Sequence, residues 1–112
     1  MKALGQRGEV VAATFLKNLG YTILAKNWRC ERGELDLVAK DGQILVFIEV
    51  KTRKSYRRGT PAEAVDTRKQ EKLRLLAHYY IHQTGNTAPA YRFDVVAVDG
   101  KSEEVTLFKN AF

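Results

Sequence analysis

The order of apolar and polar residues predicts a helix at the start of the chain. Apolar side chains recur there at intervals of three, four and seven residues, which places them on one face of an α-helix. The residues of this stripe are Leu4, Val11, Ala12, Phe15, Leu16 and Leu19. Gly20 follows the last of them, and a glycine at that point commonly ends a helix. We therefore predict a helix from Leu4 to Leu19.

Three β-strands are predicted next. They cover Tyr21–Trp28, Gly33–Lys40 and Gln43–Lys51. The dipeptide Asp41-Gly42 separates the second strand from the third, and this pair of residues is a strong signal for a two-residue hairpin turn.

A second helix is indicated by Thr60, Pro61 and Glu63. Thr60 suits the cap, Pro61 the first helical position, and Glu63 the partner residue of a capping box. We expect this helix to run to about Gln83 and to end before Gly85.

Two further strands complete the predicted fold, over Tyr91–Val98 and Val105–Phe108, the second short and at a sheet edge. The predicted order is α-β-β-β-α-β-β. Such an order is typical of an α/β (α+β) protein with a mixed central sheet flanked by helices. No linker or repeat divides residues 1–112, so we predict a single domain.

The predicted hairpin brings acidic residues together. If Lys40 pairs with Gln43 across the turn, Asp36 lies opposite Phe47 and Glu34 lies opposite Glu49. Alternate residues of a strand share a face, so Glu34, Asp36, Glu49 and Lys51 are predicted to project from one side. In this register Asp36 and Glu49 are diagonal neighbours.

The rest of the hairpin is apolar on both faces. The face opposite the acids carries Leu35, Leu37, Ala39, Ile44, Val46, Ile48 and Val50. The acidic face itself becomes apolar at Val38, Leu45 and Phe47. We therefore expect a central hairpin, covered on both sides, with a charged patch at one end.

Closely spaced carboxylates repel one another, and a divalent cation is their natural partner. Mg²⁺ binds carboxylate oxygens, water and phosphate. We expect Asp36, Glu49 and the backbone carbonyl of Val50 to hold it, while Lys51 orients the attacking water or stabilises charge on a phosphate. The alternative is a group of salt bridges at the end of the sheet, with Lys51 neutralising one acid.

Charge and composition favour an anionic partner. Lys and Arg number 19 against 13 Asp and Glu, a net charge of +6, which suits nucleic acid or acidic lipid. Cys30 is the single cysteine, too few for a disulfide or a thiolate metal site. His78 and His82 are four residues apart, but we expect them on a helix surface. Without an apolar run that could span a membrane, the protein is expected to be soluble and cytoplasmic.

A basic segment follows the predicted lysine of the site. We expect its cationic side chains to contact backbone phosphates and its tyrosine to stack on a base; the alternative is a solvated loop. The residues concerned are Arg53, Lys54, Tyr56, Arg57 and Arg58.

Polar residues also interrupt the apolar stripe of the second helix. Lys69 lies in its middle, where it can extend to solvent, pair with an acid such as Asp94, or point into the site. Gln70, at the margin, suits binding of a water or a phosphate. Asp94 is expected to be a structural partner. Arg29 and Arg32 suit substrate binding and fold stability equally well, so the two roles stay open.

The acidic and lysine residues resemble the signature of the PD-(D/E)XK nuclease superfamily. D-x(12)-E-V-K, from Asp36 to Lys51, matches its Asp…Glu-x-Lys pattern, and the element order matches its restriction-endonuclease-like three-layer core. Leu35 stands where a proline is common.

More closely, almost the whole chain resembles the YraN family of small bacterial proteins. The matching segments are G-x-x-G-E at Gly5–Glu9, N-W-R at Asn27–Arg29, R-G-E-L-D-L-V at Arg32–Val38, V-F-I-E-V-K-T-R at Val46–Arg53, A-V-D-T-R-K-Q at Ala64–Gln70 and R-F-D-V-V at Arg92–Val96.

A similarity to archaeal-type Holliday junction resolvases implies that Glu9 joins the metal site. The position of Glu9 beside the apolar stripe of the first helix lets it reach the charged end of the sheet, and the alternative is an ordinary solvated glutamate. The similarity also implies supporting roles for Lys69 and Gln70, while Glu34 is a YraN-type feature without an assigned role. These resemblances imply an endonuclease that hydrolyses DNA, branched or structured DNA included, with Mg²⁺ or Mn²⁺ as cofactor and a homodimer as the assembly. Two alternatives stay open: a non-catalytic nucleic-acid-binding module, and an adaptor that binds an acidic protein.

Overall fold

The computed structural model describes residues 4–53 and 65–112, with side chains from residue 7 onward. The helices and strands are α1 (Leu4–Asn18), β1 (Thr22–Cys30), β2 (Gly33–Asp41), β3 (Ile44–Arg53), α2 (Thr67–Thr84), β4 (Ala90–Asp99) and β5 (Val105–Phe108). This is the predicted order of elements. Lys54, Tyr56, Arg57 and Arg58 of the basic segment lie outside the described residues.

The five strands form one mixed sheet in the order β1-β2-β3-β4-β5. Neighbouring strands are antiparallel except for β3 and β4, which are parallel and are joined through α2. The fifth strand lies at an edge, as predicted. β3 is the central strand, so residues at its end are flanked by strands on both sides.

Two apolar clusters cover the two faces of the sheet. On one face, Leu16 of α1 packs with Leu37, Val46 and Val96. On the other, Leu76 of α2 belongs to the second cluster. Its strand residues are Leu35, Val38, Leu45, Phe47, Phe93 and Val95. The result is a three-layer arrangement of α1, sheet and α2, which agrees with the predicted fold class.

The first helix approaches the sheet closely at Gly8. A Cβ atom at this position would lie 2.1 Å from the side-chain oxygen of Thr52 on β3, so a larger residue would push the helix away. At the other end, Gly20 adopts a φ of 97°, which explains why the helix ends where the apolar pattern predicted.

The second helix begins later than predicted. Its N-cap is Asp66, whose carboxylate accepts a hydrogen bond from the Lys69 backbone N–H at 2.8 Å. Val65 is buried and non-helical, so the helix is not continuous with the predicted cap at Thr60, which lies outside the described residues. Its end agrees with the prediction, since Gly85 is the C-cap at a φ of 65°.

The register of the β2–β3 hairpin differs from the prediction by two residues. Asp41 pairs with Ile44, so the turn consists of Gly42 and Gln43, and Phe47 lies opposite Val38. Asp41 remains in the strand because its carboxylate binds Arg92 of β4 at 2.8 Å. A shift of two residues keeps each side chain on its predicted face, whereas a shift of one would reverse it.

Candidate metal centre

The candidate site forms where β2 separates from β3. Their pairing ends at Leu37 and Ile48, whereas β3 remains paired with β4 as far as Arg53. One step beyond the last pair, the Asp36 carboxylate accepts a hydrogen bond from the Val50 backbone N–H at 2.9 Å. A side-chain oxygen thus replaces the backbone carbonyl that a continued strand would have supplied.

The alternation of side chains along β2 changes at Asp36. Leu35 was predicted on the same face as Leu37, and this is wrong: Leu35 packs in the α2-side cluster and Leu37 in the α1-side cluster. On β1, Ala25 and Trp28 both pack against the α2-side cluster although they are three residues apart. Both strands therefore reverse their alternation at the same level of the sheet.

The backbone of Asn27 accounts for this reversal. Its φ of 52° is left-handed, which interrupts the regular pleat of β1. Trp28 pairs with Leu35 and Lys26 with Leu37, so Asn27 is at the level of Asp36.

The reversal corrects the prediction that four charged side chains share one face. Glu34 and Asp36 lie toward α1, within reach of Glu9. Glu49 and Lys51 keep the regular alternation of β3, which places them on the α2 side with Phe47. The two groups still meet, because Asp36 lies at the gap between the separating strands and contacts Glu49.

Three carboxylates converge on the α1 side of the gap. One oxygen each from Glu9, Glu34 and Asp36 lies within 4.8 Å of the others, the only such acidic or histidine cluster in the described part of the chain. Glu34 also pairs with Arg29 at 3.3 Å. The sequence had assigned no role to Glu34, and the structure places it inside the group.

Glu49 is the buried acid of the site, with 8% of its surface exposed. The ammonium nitrogen of Lys69 lies 3.4 Å from its Oε2 atom, an ion pair without hydrogen-bond geometry. Oε2 consequently has no hydrogen-bond partner among the described residues. Of the alternatives for Lys69, two are observed together: it pairs with an acid and it points into the site, and the acid is Glu49 rather than Asp94.

Crowding and burial alter the acidity of the site. The pKa of Asp36 is raised to about 7, mainly by burial and then by the hydrogen bond and negative charge of Glu49. The pKa of Glu9 is also raised to about 7, by burial and then by the charges of Asp36 and Glu34. Burial and the neighbouring acids thus both disfavour the ionised form of these two carboxyl groups.

Other predicted site residues lie outside the cluster of Glu9, Glu34 and Asp36. Lys51 is half-buried and forms no ion pair with any carboxylate described in the structure. The side-chain nitrogen of Gln70 donates to the Val65 carbonyl at 2.9 Å, which fixes the segment before α2. Arg53 ends β3 and is partly exposed. Metal binding by the Val50 carbonyl stays a prediction.

Asn27 is the site residue that sequence reasoning missed. With its amide nitrogen facing the acids, it donates to Glu9 at 3.0 and 2.6 Å and to Glu34 at 2.8 Å. The signal was present, because asparagine is uncommon within strands and tolerates a left-handed backbone. Glu9 lies 18 residues from Asn27 along the chain, so no local pattern predicts their contact.

The donor set fits a hard divalent cation. It consists of carboxylate oxygens, two of its acids have a raised pKa, and one buried oxygen has no hydrogen-bond partner among the described residues. Glu9, Glu34, Asp36 and Glu49 could supply the ligands. His78 and His82 are exposed on α2, as expected, and are not part of this group.

Fold and site together define an α+β protein with an acidic centre at the point where two strands of a mixed sheet separate. Comparison with known proteins identifies the family. The model described as "Uncharacterised protein family UPF0102" matches residues 8–98, and the chain belongs to this family, the YraN family, a PD-(D/E)XK-like nuclease family. The family resemblance seen in the sequence is confirmed.

The chain is similar along nearly its whole length to curated UPF0102 proteins. It is 45% identical to one from Caldicellulosiruptor saccharolyticus, covering 99% of this chain and 98% of the relative. It is 48% identical to one from Symbiobacterium thermophilum, covering 99% and 97%. It is 49% identical to one from Moorella thermoacetica, covering 96% and 93%. Among the described residues, no helix has the length and apolar character needed to cross a membrane.

Proposed function

We propose that this protein is a metal-dependent endonuclease that hydrolyses phosphodiester bonds in DNA, branched or structured DNA included. The convergence of the Glu9, Glu34 and Asp36 carboxylates, with Glu49 in contact with Asp36, carries the proposal. A purely structural cluster would be expected to pair each acid with a cation, whereas among the described residues these acids outnumber their cationic partners. This excess favours a bound cation over the alternative of salt bridges at a sheet end.

Glu9, Asp36 and Glu49, with Glu34 beside them, would hold Mg²⁺ or Mn²⁺. Such a cation would supply positive charge at a phosphate oxygen and lower the pKa of a water molecule. The protein's own side chains would supply the other contacts to the phosphate. Lys51, one strand repeat beyond Glu49, would stabilise negative charge on the phosphate, and its lack of an ion pair with the described carboxylates leaves its ammonium available for that contact.

Substrate binding would come from the cationic residues after Lys51. The net charge of +6 attracts a polyanion from solution. Arg53 ends β3, the strand that carries Glu49 and Lys51, and the other cationic residues of the basic segment follow it in the sequence. Its arginines and lysines would bind backbone phosphates, and DNA is the partner that this arrangement favours.

One observation supports a second candidate, a DNA-binding module without turnover. Glu49 already has a cationic neighbour in Lys69. If that ion pair persists when DNA binds, it would compete with a metal for the Glu49 carboxylate. The two candidates differ in what the protein does to DNA, so a cleavage assay distinguishes them.

The test is cleavage of labelled duplex, single-stranded and four-way-junction DNA with Mg²⁺, Mn²⁺ or EDTA. We expect metal-dependent cleavage that falls about a hundredfold or more in Glu49→Gln and in Lys51→Ala. Glu104→Gln and Lys17→Ala are matched controls, because both residues are exposed and outside the site. Their rates should equal that of the unmodified protein.

Each other outcome is informative. Binding of DNA without cleavage would support the module, and the absence of both would support an adaptor. Cleavage that survives in Glu49→Gln and Lys51→Ala would assign the activity to a different site.

A further inference from the structure

Asn27 contacts the acidic centre from β1, and the proposed chemistry gives it no role. Its φ of 52° is costly for most residues, whereas asparagine and glycine adopt it readily. This backbone interrupts the pleat of β1 at the level of Asp36. Glu34 and Asp36 are thereby directed toward α1, where Glu9 lies.

The side chain of Asn27 adds a second contribution. Two carboxylates face its amide, and carboxylates only accept hydrogen bonds when ionised, so the amide nitrogen lies toward them. It donates to both oxygens of Glu9, at 3.0 and 2.6 Å, and to Glu34 at 2.8 Å. One amide group therefore holds two acids from different elements, α1 and β2, against their mutual repulsion.

Geometry alone would not keep these acids together. Glu9 and Glu34 repel each other and Asp36, and each long side chain can rotate toward solvent. Arg29 contacts Glu34 but is largely exposed, with 77% of its side chain accessible, so it restrains Glu34 weakly. Asn27 is the described residue that bonds to both.

We propose that Asn27 is a positioning residue, whose amide holds Glu9 and Glu34 side by side, facing Asp36, in the arrangement that binds a divalent cation. The inference rests on the proposed function only in that a cation binds there. It does not require the protein to cleave DNA. Residues that orient metal ligands commonly change metal affinity tenfold to a hundredfold when they are replaced.

The test uses Asn27→Gly, which keeps the left-handed backbone and removes the amide. Titration calorimetry with Mn²⁺ should show a dissociation constant raised about tenfold or more. Asn110→Gly is the matched control, because Asn110 also has a left-handed backbone, with a φ of 51°, and lies outside the site. Its Mn²⁺ affinity should equal that of the unmodified protein, and melting in EDTA checks that both variants fold.

A double-variant comparison separates positioning from a general structural effect. Because Glu34→Gln removes one of the two charges that the amide is proposed to hold together, Asn27→Gly should change Mn²⁺ affinity much less in that background than alone. A structural defect would lower affinity equally in both backgrounds. That result would overturn the proposal.

A spectroscopic measurement on the unmodified protein requires no variant to fold. In ¹⁵N-labelled protein, the side-chain amide signal of Asn27 should shift when Mg²⁺ is added, while that of Asn110 should not. An unmoved Asn27 signal in protein that binds Mg²⁺, or an Asn27→Gly variant with unchanged Mn²⁺ affinity, would refute this inference alone. Unmodified protein that binds neither ion would refute both this inference and the proposed metal site.

Discussion

Two groups of acids on the sheet each have one buried member, Asp94 in the first and Glu49 in the second, and they differ in how their charges are balanced. In the first group, Asp94 is fully buried and accepts hydrogen bonds from Arg92 at 2.9 Å, Tyr21 at 3.1 Å and the Asn110 backbone at 3.0 Å. Arg92 also binds Asp41 at 2.8 Å. These residues, the Asp94 network, satisfy one another within the chain.

The acidic centre has the same types of groups but no such balance. In the described part of the chain its four carboxylates have two cationic partners, and both contacts, Arg29 with Glu34 and Lys69 with Glu49, are 3.3 Å or longer. The Arg92 guanidinium in the Asp94 network has a raised pKa because Asp94 and Asp41 bind it. At the centre it is the acid Asp36 whose pKa is raised, because burial and another acid surround it.

This is the difference that we expect between a structural ion network and the proposed cation site. Burial of charge is tolerated where its partners are complete, and among the described residues the partners of the acidic centre are incomplete. The Asp94 network is expected to stabilise the fold. The acidic centre is expected to weaken it until a cation binds.

The largest expected effect comes from removing one charge from each group. Asp94→Asn should lower the free energy of unfolding by about 3–5 kcal/mol, because Arg92 loses its buried partner. At pH 8 without metal, Asp36→Asn should leave the free energy of unfolding nearly unchanged or raise it. The new amide oxygen can still accept the hydrogen bond from the Val50 N–H, and one crowded charge is removed. Urea unfolding measures both. Equal losses of unfolding free energy would show that the two groups do not differ in their charge balance.

A smaller effect is expected in the dependence of stability on pH. The pKa values of Asp36 and Glu9 are about 7 in the fold, above the ordinary value near 4 of the unfolded chain. Between these values the folded protein binds more protons than the unfolded chain. The stability associated with these two groups is therefore present below about pH 4 and is lost as pH rises to about 7.

Melting temperatures in EDTA at intervals from pH 5 to 8 measure this loss. Asp36→Asn should flatten the dependence relative to the unmodified protein, and 10 mM Mg²⁺ should raise the melting temperature more at pH 8 than at pH 5. A melting temperature indifferent to Mg²⁺ at pH 8 would count against a cation site. A Glu104→Gln control should respond as the unmodified protein does.

The smallest expected effect concerns the helix that supplies Lys69 to the centre. Asp66→Ala removes the cap of α2 and should cost about 1 kcal/mol of unfolding free energy. Asp66→Asn, which still caps, should cost much less. Urea unfolding of the two variants checks this, and equal losses would mean that the charge rather than the cap matters. No comparable helix cap supports the Asp94 network among the described residues, so this variant perturbs the acidic centre alone.

Much of the fold was predictable because it depends on local periodicity. The strand Val105–Phe108 and the ends of both helices at Gly20 and Gly85 follow from spacing and glycine position. So does the alternation of β3, since an unbroken strand must place Glu49 and Lys51 on one face. The residues of the acidic centre on β2 and β3 were therefore identifiable before their geometry was known.

Other features depended on contacts between distant parts of the chain. The hairpin register differed by two residues because Arg92, on another strand, holds Asp41 in β2. The displaced start of α2 follows from Asp66, which caps the helix while Val65 enters the core. The pairing of Lys69 with Glu49 needed the helix to be in place.

What the sequence determined by itself was the set of elements, the family, and the acids of the centre, since period and motif are properties of neighbouring residues. Tertiary structure decided how those acids meet. A left-handed residue in β1 changes the facing of Asp36 on the adjacent strand, and α1 brings Glu9 to it. The physical reason is that a local pattern specifies which side a residue prefers, whereas the balance of charge between side chains is settled only when separate elements pack together.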